Sequence, residues 1–215
     1  MNSAPPDSGV RQLLEAMRSP APTRYAALVG LVIGAIAGTV YWFSAELWPS
    51  SIAVTLAMLV SALLTNDFRI ASSSRLDLVT QFFYLLLKYN ALMALSAAKL
   101  PFPAPAPFAL PLIMVCGYGA SRALLVSLMA SVPQLLPRVS HLDLVLALVI
   151  GLSPAVLLAV PGLVGLAVAI VSSIAVGSYL KLHPPGEGAW LVALAPLLAE
   201  ICFYLGARAS WSYVN

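Results

Sequence analysis

The chain has 215 residues, of which 61% are hydrophobic and only 9% are charged, and its mean hydropathy is +0.95. Because soluble domains carry about 25% charged residues, this composition excludes a soluble enzyme, a nucleic-acid-binding domain and a disordered chain. It predicts an all-α polytopic membrane protein, since a helix needs about 20 apolar residues to cross a bilayer. The net charge of +3 comes from scattered basic residues, a pattern that does not indicate nucleic-acid binding.

Residues 1–24 are rich in proline and include acidic side chains. They lack the basic start and the continuous apolar core of a secretory signal. We therefore expect an N-terminal tail that stays in the cytoplasm.

Seven apolar runs follow the tail and predict a transmembrane helical domain over residues 25–208, with a short C-terminal tail at 209–215. The runs cover residues 25–43, 48–64, 78–98, 108–130, 144–160, 162–180 and 189–207. The connection between the fifth run and the sixth is only Pro161-Gly162, where the sixth run begins, and this predicts a tight helical hairpin. The alternative is that Pro154 only kinks one long helix that contains both runs, which would reduce the count to six spans.

Lysine and arginine predict the orientation of the spans, because they concentrate on the cytoplasmic side of a membrane protein. With seven spans, one side holds Arg11, Arg18, Arg24, Arg69, Arg75, Arg138 and Lys181, and the other holds Lys99 and Arg208. This bias predicts a cytoplasmic N-terminus. The loops at 66–77, 132–143 and 181–188 are then cytoplasmic as well.

Three ionisable residues lie within the apolar runs, namely Lys88, Arg122 and Glu200. Such groups are costly in a bilayer and usually face the interior of a helix bundle. One interpretation is a polar site between helices that recognises an anionic group, for which Arg122 is better suited than Lys88 because its guanidinium can hold phosphate bidentately. The other is an internal ion pair that only fixes helix packing.

Small residues form a stripe on the first run, where Gly30, Gly34 and Gly38 recur at every fourth position. Such a stripe lets two helix backbones approach closely. We interpret it as a packing surface, which also permits association between chains. Cys116 and Cys202 lie inside apolar runs and are interpreted as ordinary helix residues.

Several stretches resemble the cobalamin synthase family, the adenosylcobinamide-GDP ribazoletransferases of bacterial membranes. The first covers residues 25–65, with a Leu-Val-Gly-x-x-x-Gly pattern and a terminal Leu-Leu-Thr. The others are Leu-Lys-Tyr-Asn-Ala-Leu at 87–92, Ser-Arg at 121–122, and Leu-Ala-Glu at 198–200 followed by Phe-Tyr-Leu-Gly at 203–206. They occur in the order and spacing of the family.

The resemblance implies a multi-pass protein of the bacterial inner membrane that acts in the last steps of cobalamin biosynthesis. Members of the family join adenosylcobinamide-GDP to α-ribazole and release GMP. The resemblance also implies Mg²⁺ as cofactor, held by an acidic motif that follows the Leu-Thr-Gly of the second span. A metal held by carboxylates neutralises a pyrophosphate and stabilises the transferring group.

The sequence departs from the family at that motif. Its pattern, His-Glu-Asp-Gly-x-Ala-Asp-x-x-Asp-Gly, is absent after Thr65, and Ser73 stands where a later family aspartate would be. Near the C-terminus, Trp190 takes the position of another aspartate. Only Asp67 and Asp77 remain as catalytic and metal-binding candidates in the first loop. We therefore expect weakened or lost catalysis.

By resemblance, the site would be one cytoplasm-facing cavity in which arginines hold phosphates. Its candidate residues are Asp67, Arg75, Asp77, Lys88, Arg122 and Glu200. Two alternatives stay open: a non-catalytic membrane scaffold or binding protein on the same fold, and a small transporter. The transporter is suggested only by the presence of Lys88, Arg122 and Glu200 within the spans.

Overall fold

A computed structural model describes residues 25–65, 75–97, 109–132, 139–182 and 189–211. The predicted all-α fold is confirmed, since these ranges form seven α-helices and contain no strand. The helices are α1 (Ala26–Leu47), α2 (Ser50–Thr65), α3 (Arg75–Ser96), α4 (Ala109–Ser131), α5 (His141–Leu157), α6 (Ala159–Leu182) and α7 (Ala189–Trp211). The predicted tail at 1–24 lies outside the described residues.

Helix α4 is the centre of the bundle. It packs against α1, α5, α6 and α7, and most of its side chains are buried. The glycine stripe of α1 faces it directly: a Cβ atom on Gly34 would lie 2.6 Å from the Cα of Val115, and one on Gly38 would lie 2.9 Å from the Cα of Pro111. The predicted packing role of the stripe is therefore confirmed, because only glycine permits this backbone approach.

The break between α5 and α6 lies three residues before the predicted position. Helix α5 ends at Leu157, and Ala159 has a positive φ of 51°, which reverses the course of the chain. Pro161 falls in the first turn of α6, where its missing N–H leaves no hydrogen bond unmade. The two prolines therefore do not mark the boundary, and Pro154 lies inside α5.

Helix α5 begins at His141, three residues before the predicted start of the fifth span. The side chain of Ser140 accepts a hydrogen bond from the backbone N–H of Leu142 at 3.3 Å, and Asp143 lies in the first turn. A serine cap and an early carboxylate both stabilise a helix N-terminus. These signals lie outside the apolar run and extend the helix beyond it.

Successive helices run in opposite directions. Gly30 lies beside Tyr118 and Gly38 beside Pro111, so α1 and α4 are antiparallel. Contacts of the same kind show that α6 and α7 are antiparallel and that α4 and α6 are parallel. Helices α1, α3, α5 and α7 therefore begin at one end of the bundle, the α1 end, where α2, α4 and α6 finish.

In the part of the chain that the structure describes, three helices are long and apolar enough to cross a membrane: Ala26–Leu47, Ala109–Ser131 and Ala159–Leu182. Shorter apolar helices cover Ser50–Thr65, Phe82–Ser96 and His141–Leu157. Large apolar side chains such as Leu163, Val171 and Leu182 are exposed on the outside of the bundle, where they can contact lipid. The chain is therefore a helical membrane protein, while the seven-span topology stays a prediction.

Candidate functional site

Two of the three predicted intramembrane charges meet inside the bundle. The Nζ of Lys88 on α3 lies 2.9 Å from Oε1 and 3.1 Å from Oε2 of Glu200 on α7. Both side chains are almost fully buried, with 3% and 4% exposed. An opposite charge this close offsets much of the cost of removing each group from water. An internal ion pair, one of the two interpretations of these charges, is therefore present, and it joins Lys88 to Glu200.

Two tyrosines complete the hydrogen bonding of this pair. Lys88 donates from Nζ to the hydroxyl oxygen of Tyr118 on α4 at 2.6 Å, and the ammonium lies 4.5 Å from the centre of the Tyr118 ring. The hydroxyl of Tyr204 on α7 donates to Oε1 of Glu200 at 2.6 Å. Short charge-assisted bonds of this kind are stronger than neutral ones. Lys88, Tyr118, Glu200 and Tyr204 form what we call the buried quartet.

The quartet joins three helices at a tightly packed point. Gly117 on α4 makes room for Tyr204, since a Cβ atom there would lie 2.9 Å from the hydroxyl oxygen. Around the quartet lie fully buried apolar side chains, among them Leu92, Met114 and Phe203. The charges of Lys88 and Glu200 oppose each other, and the hydrogen bonds of the quartet link α3, α4 and α7.

Sequence reasoning missed both tyrosines. Tyr118 and Tyr204 lie in apolar runs, where tyrosine is commonly a core or interface residue. A signal was present, because Tyr204 follows Glu200 by one helical turn, a spacing that places two side chains on the same face. Nothing in the sequence pairs Tyr118 with Lys88, which lies 30 positions earlier on another helix.

Arg122 stands apart from the quartet. It lies one turn beyond Tyr118 on α4, towards the α1 end, and is half-buried. Its aliphatic stem packs on α1, where a Cβ atom on Gly30 would lie 2.8 Å from Cγ of Arg122. Within the described ranges, no carboxylate forms a salt bridge with its guanidinium.

For the remaining candidates, the structure describes no side chain. Asp67 lies outside the described residues. Arg75 and Asp77 belong to the first turn of α3 at the α1 end, but only their backbone is described. In the part of the chain that is described, no three His, Cys, Asp or Glu side chains cluster to form a metal site. The site roles of all six candidates, and Mg²⁺ binding by Asp67 and Asp77, stay predictions.

Comparison with known proteins confirms the family resemblance over the N-terminal part of the chain. Residues 9–69 match the family described as cobalamin-5-phosphate synthase. An adenosylcobinamide-GDP ribazoletransferase of Shewanella denitrificans is 50% identical over 46 residues, and one of Shewanella putrefaciens is 46% identical over the same length. Each match covers 21% of this chain and only 18% of the relative. No solved structure matches the chain.

The matched segment contains α1 and α2 and ends at residue 69, inside the loop where the acidic motif is absent. The stretches around Lys88, Arg122 and Glu200 lie beyond it. The segment nevertheless contacts one of the candidate residues, because Gly30 belongs to it and packs against Arg122. The chain is thus a cobalamin-synthase-like membrane protein in the part that the comparisons cover.

Proposed function

We propose that this protein binds the phosphate-bearing substrate of a cobalamin-synthase-type reaction, with Arg122 as its anion-binding residue and with weakened or lost catalysis. The observation that carries the proposal is the contact between Arg122 and Gly30. It places an arginine that has no described carboxylate partner against the segment that matches cobalamin-5-phosphate synthase. The substrates named for the relatives, adenosylcobinamide-GDP and ribazole, suggest what the arginine would bind.

Arg122 is a better anion ligand than Lys88 for a structural reason. The charge of Lys88 is already neutralised by Glu200, and its hydrogen bonds are directed to Tyr118 and Glu200. Arg122 offers a planar, permanently charged group that matches a phosphate bidentately. We assign Lys88 and Glu200 to positioning, since their pair fixes α3 and α7 around α4.

The position of Arg122 supports access from one side of the membrane. It lies between the quartet and the α1 end, where α3 begins with Arg75. Arg75 and Lys181 belong to the side for which the sequence predicts an excess of lysine and arginine, which favours the cytoplasm of a bacterial inner membrane for this end. A water-soluble nucleotide group would approach from there, while an amphiphilic partner would reach the site from the bilayer.

Catalysis in this proposal is weakened because the acidic motif is missing from the sequence. Asp67 and Asp77 are two carboxylates ten positions apart, and Mg²⁺ is usually held by carboxylates together with substrate phosphates in octahedral geometry. No step of the proposed binding passes through a metal. If Mg²⁺ does bind, Asp67 and Asp77 would hold it, and it would stabilise charge on the transferring phosphoryl group.

A non-catalytic binding protein is the second candidate. The absence of the acidic motif also favours this candidate, which differs from the first only in having no residual turnover. Genetic complementation separates the two.

The binding test uses the full chain in lipid nanodiscs and adenosylcobinamide-GDP, whose corrinoid absorbs visible light. We expect saturable binding by the wild type, and about tenfold or greater loss in Arg122→Gln, because charge-assisted hydrogen bonds contribute roughly 1.5–3 kcal/mol. Arg122→Lys should fall between the two. Arg208→Gln, which removes an arginine from the other end of the bundle, serves as the matched control. Equal binding by wild type and Arg122→Gln would contradict the proposal.

The activity test supplies the gene to a bacterial strain that lacks cobalamin synthase and must grow on cobinamide. We expect growth to be slower than with a complete enzyme, or absent, although the protein is present in the membrane. Slow growth that disappears in Asp67→Ala or Asp77→Ala would favour the weakened enzyme. Growth at the full rate would overturn the proposal of weakened catalysis and leave the role of Arg122 to the binding test.

A further inference from the structure

A groove of about 210 Å³ lies between α4 and α6, close to the α1 end and separate from the quartet. A groove of this volume has room for several waters or for one polar head group. Its deeper wall is apolar and includes Leu124, Leu128 and Ile170. Gly177 leaves the space between the two helices free of a side chain, and a Cβ atom there would lie 3.1 Å from Cδ1 of Leu128.

Serines give the groove its polar character. Ser131 donates its hydroxyl to the carbonyl of Leu128 at 2.8 Å, which satisfies it within its own helix. Ser127, Ser173 and Ser178 also line the groove, and among the described residues their hydroxyls have no hydrogen-bond partner. A hydroxyl removed from water is costly without a partner, and Ser127 and Ser173 are partly buried while Ser178 is exposed at the mouth. Three serine hydroxyls that line one groove therefore favour a polar ligand.

Among the described residues that line the groove, one is a cation, and it lies at the mouth. Lys181 belongs to the last turn of α6, is exposed, and forms no salt bridge with any residue in the described ranges. Ser178 precedes it by three positions, so the ammonium and the hydroxyl lie on the same face of α6. This pair is complementary to a phosphate group.

The groove opens sideways, towards the bilayer. Ile174, which lines it, has 63% of its surface exposed, and neighbouring Val171 on α6 has 66% exposed. Apolar side chains exposed on the outside of a membrane bundle face acyl chains. A ligand that enters from this side is therefore itself a lipid.

We propose that the groove binds one anionic phospholipid, independently of the function proposed above. The phosphate contacts Lys181 and Ser178, the glycerol region reaches Ser127 and Ser173, and an acyl chain lies along Leu124, Ile170 and Ile174. The cation at the mouth and the apolar wall below match the two ends of such a molecule. The predicted cytoplasmic position of Lys181 agrees with a lysine that contacts lipid phosphates at the membrane surface.

Native mass spectrometry of the full chain, released from detergent, tests the site with phosphatidylglycerol and phosphatidylcholine of equal chain length. We expect the wild type to retain one phosphatidylglycerol in preference to phosphatidylcholine. Lys181→Gln should weaken that retention about fivefold, the factor that corresponds to about 1 kcal/mol for one lysine at a lipid surface. Lys181→Arg should preserve it, and Ser173→Leu should weaken it by filling the groove.

Arg208→Gln is the matched control, because it removes one cation from the last turn of another helix. If it lowers phosphatidylglycerol retention as much as Lys181→Gln does, the effect is one of overall charge and the proposal is wrong. Equal retention of the two lipids would also overturn it. Glycerol phosphate in millimolar excess should not displace the lipid, and displacement would mean that the site binds a free phosphate.

Discussion

Lys88 and Glu200 are 112 positions apart in the chain, and in the folded protein their charged atoms approach to 2.9 Å in the buried centre of the bundle. Because α3 and α7 run in the same direction, this ion pair fixes their relative height. Tyr118 ties the pair to the central helix α4. Arg122 lies one turn further along α4 and packs on Gly30 of α1 instead.

Breaking the pair on one side should destabilise the protein strongly. Lys88→Met or Glu200→Gln leaves a buried charge without its partner, and we expect each to lower the free energy of unfolding by about 3–5 kcal/mol. The double variant Lys88→Met with Glu200→Gln should cost less than the sum of the two. Unfolding in mixed micelles with increasing SDS, followed by circular dichroism, measures the effect.

Glu46→Gln is the matched control, because it neutralises an exposed glutamate of α1. It should change the free energy of unfolding by less than about 0.5 kcal/mol. Single variants of Lys88 and Glu200 that behave like this control would show that the pair does not stabilise the bundle.

Removing the tyrosine hydroxyls should have a smaller effect. Tyr118→Phe deletes the acceptor of Lys88, and Tyr204→Phe deletes a donor to Glu200. We expect each to cost about 1.5–3 kcal/mol, the range for hydrogen bonds to charged groups. Tyr89→Phe, which removes a half-buried hydroxyl of α3 outside the quartet, is the control, and the same unfolding assay applies. Equal stability of all three variants would contradict the bonding described above.

The sequence predicts some parts of this structure better than others. The helices follow from apolar runs long enough for a bilayer, and the glycine stripe predicts close packing because its spacing keeps small residues on one face. Lys88 and Glu200 stand out because charge is costly in such runs. Their tyrosine partners do not, since a tyrosine in an apolar run is compatible with many surroundings. Which polar groups meet depends on the packing of three helices.

The α5–α6 boundary illustrates a second limit. Pro161 and Gly162 indicate a break, but proline is tolerated in the first turn of a helix. The chain turns at Ala159, a residue without a turn signal, and Gly162 serves a different purpose: it lets α6 approach the carbonyl of Ala155. Local residue preferences predict that a break occurs, while tertiary packing decides where.

Enlarging a glycine of the α1 stripe should separate α1 from α4. A Cβ atom on Gly34 would meet the backbone of α4, with 2.6 Å to the Cα of Val115 and 2.9 Å to the carbonyl oxygen of Met114. Because backbone cannot move aside as a side chain can, we expect Gly34→Ala to cost about 1–3 kcal/mol of unfolding free energy. Ala35→Leu enlarges the neighbouring exposed position and should be tolerated. A neutral Gly34→Ala would indicate looser packing between α1 and α4.

The direction of the bundle in the membrane can be tested with two reporter fusions, one after Pro103 and one after Gly186. In the sequence, the first position lies between α3 and α4, and the second lies between α6, which finishes at the α1 end, and α7, which begins there. Seven lysines and arginines on the predicted cytoplasmic side, against two on the other, favour a cytoplasmic Gly186. We expect a fluorescent protein fused after Gly186 to fold and alkaline phosphatase fused after Pro103 to be active. Active phosphatase after Gly186 would reverse the orientation, and identical signals at both positions would contradict the seven-span topology.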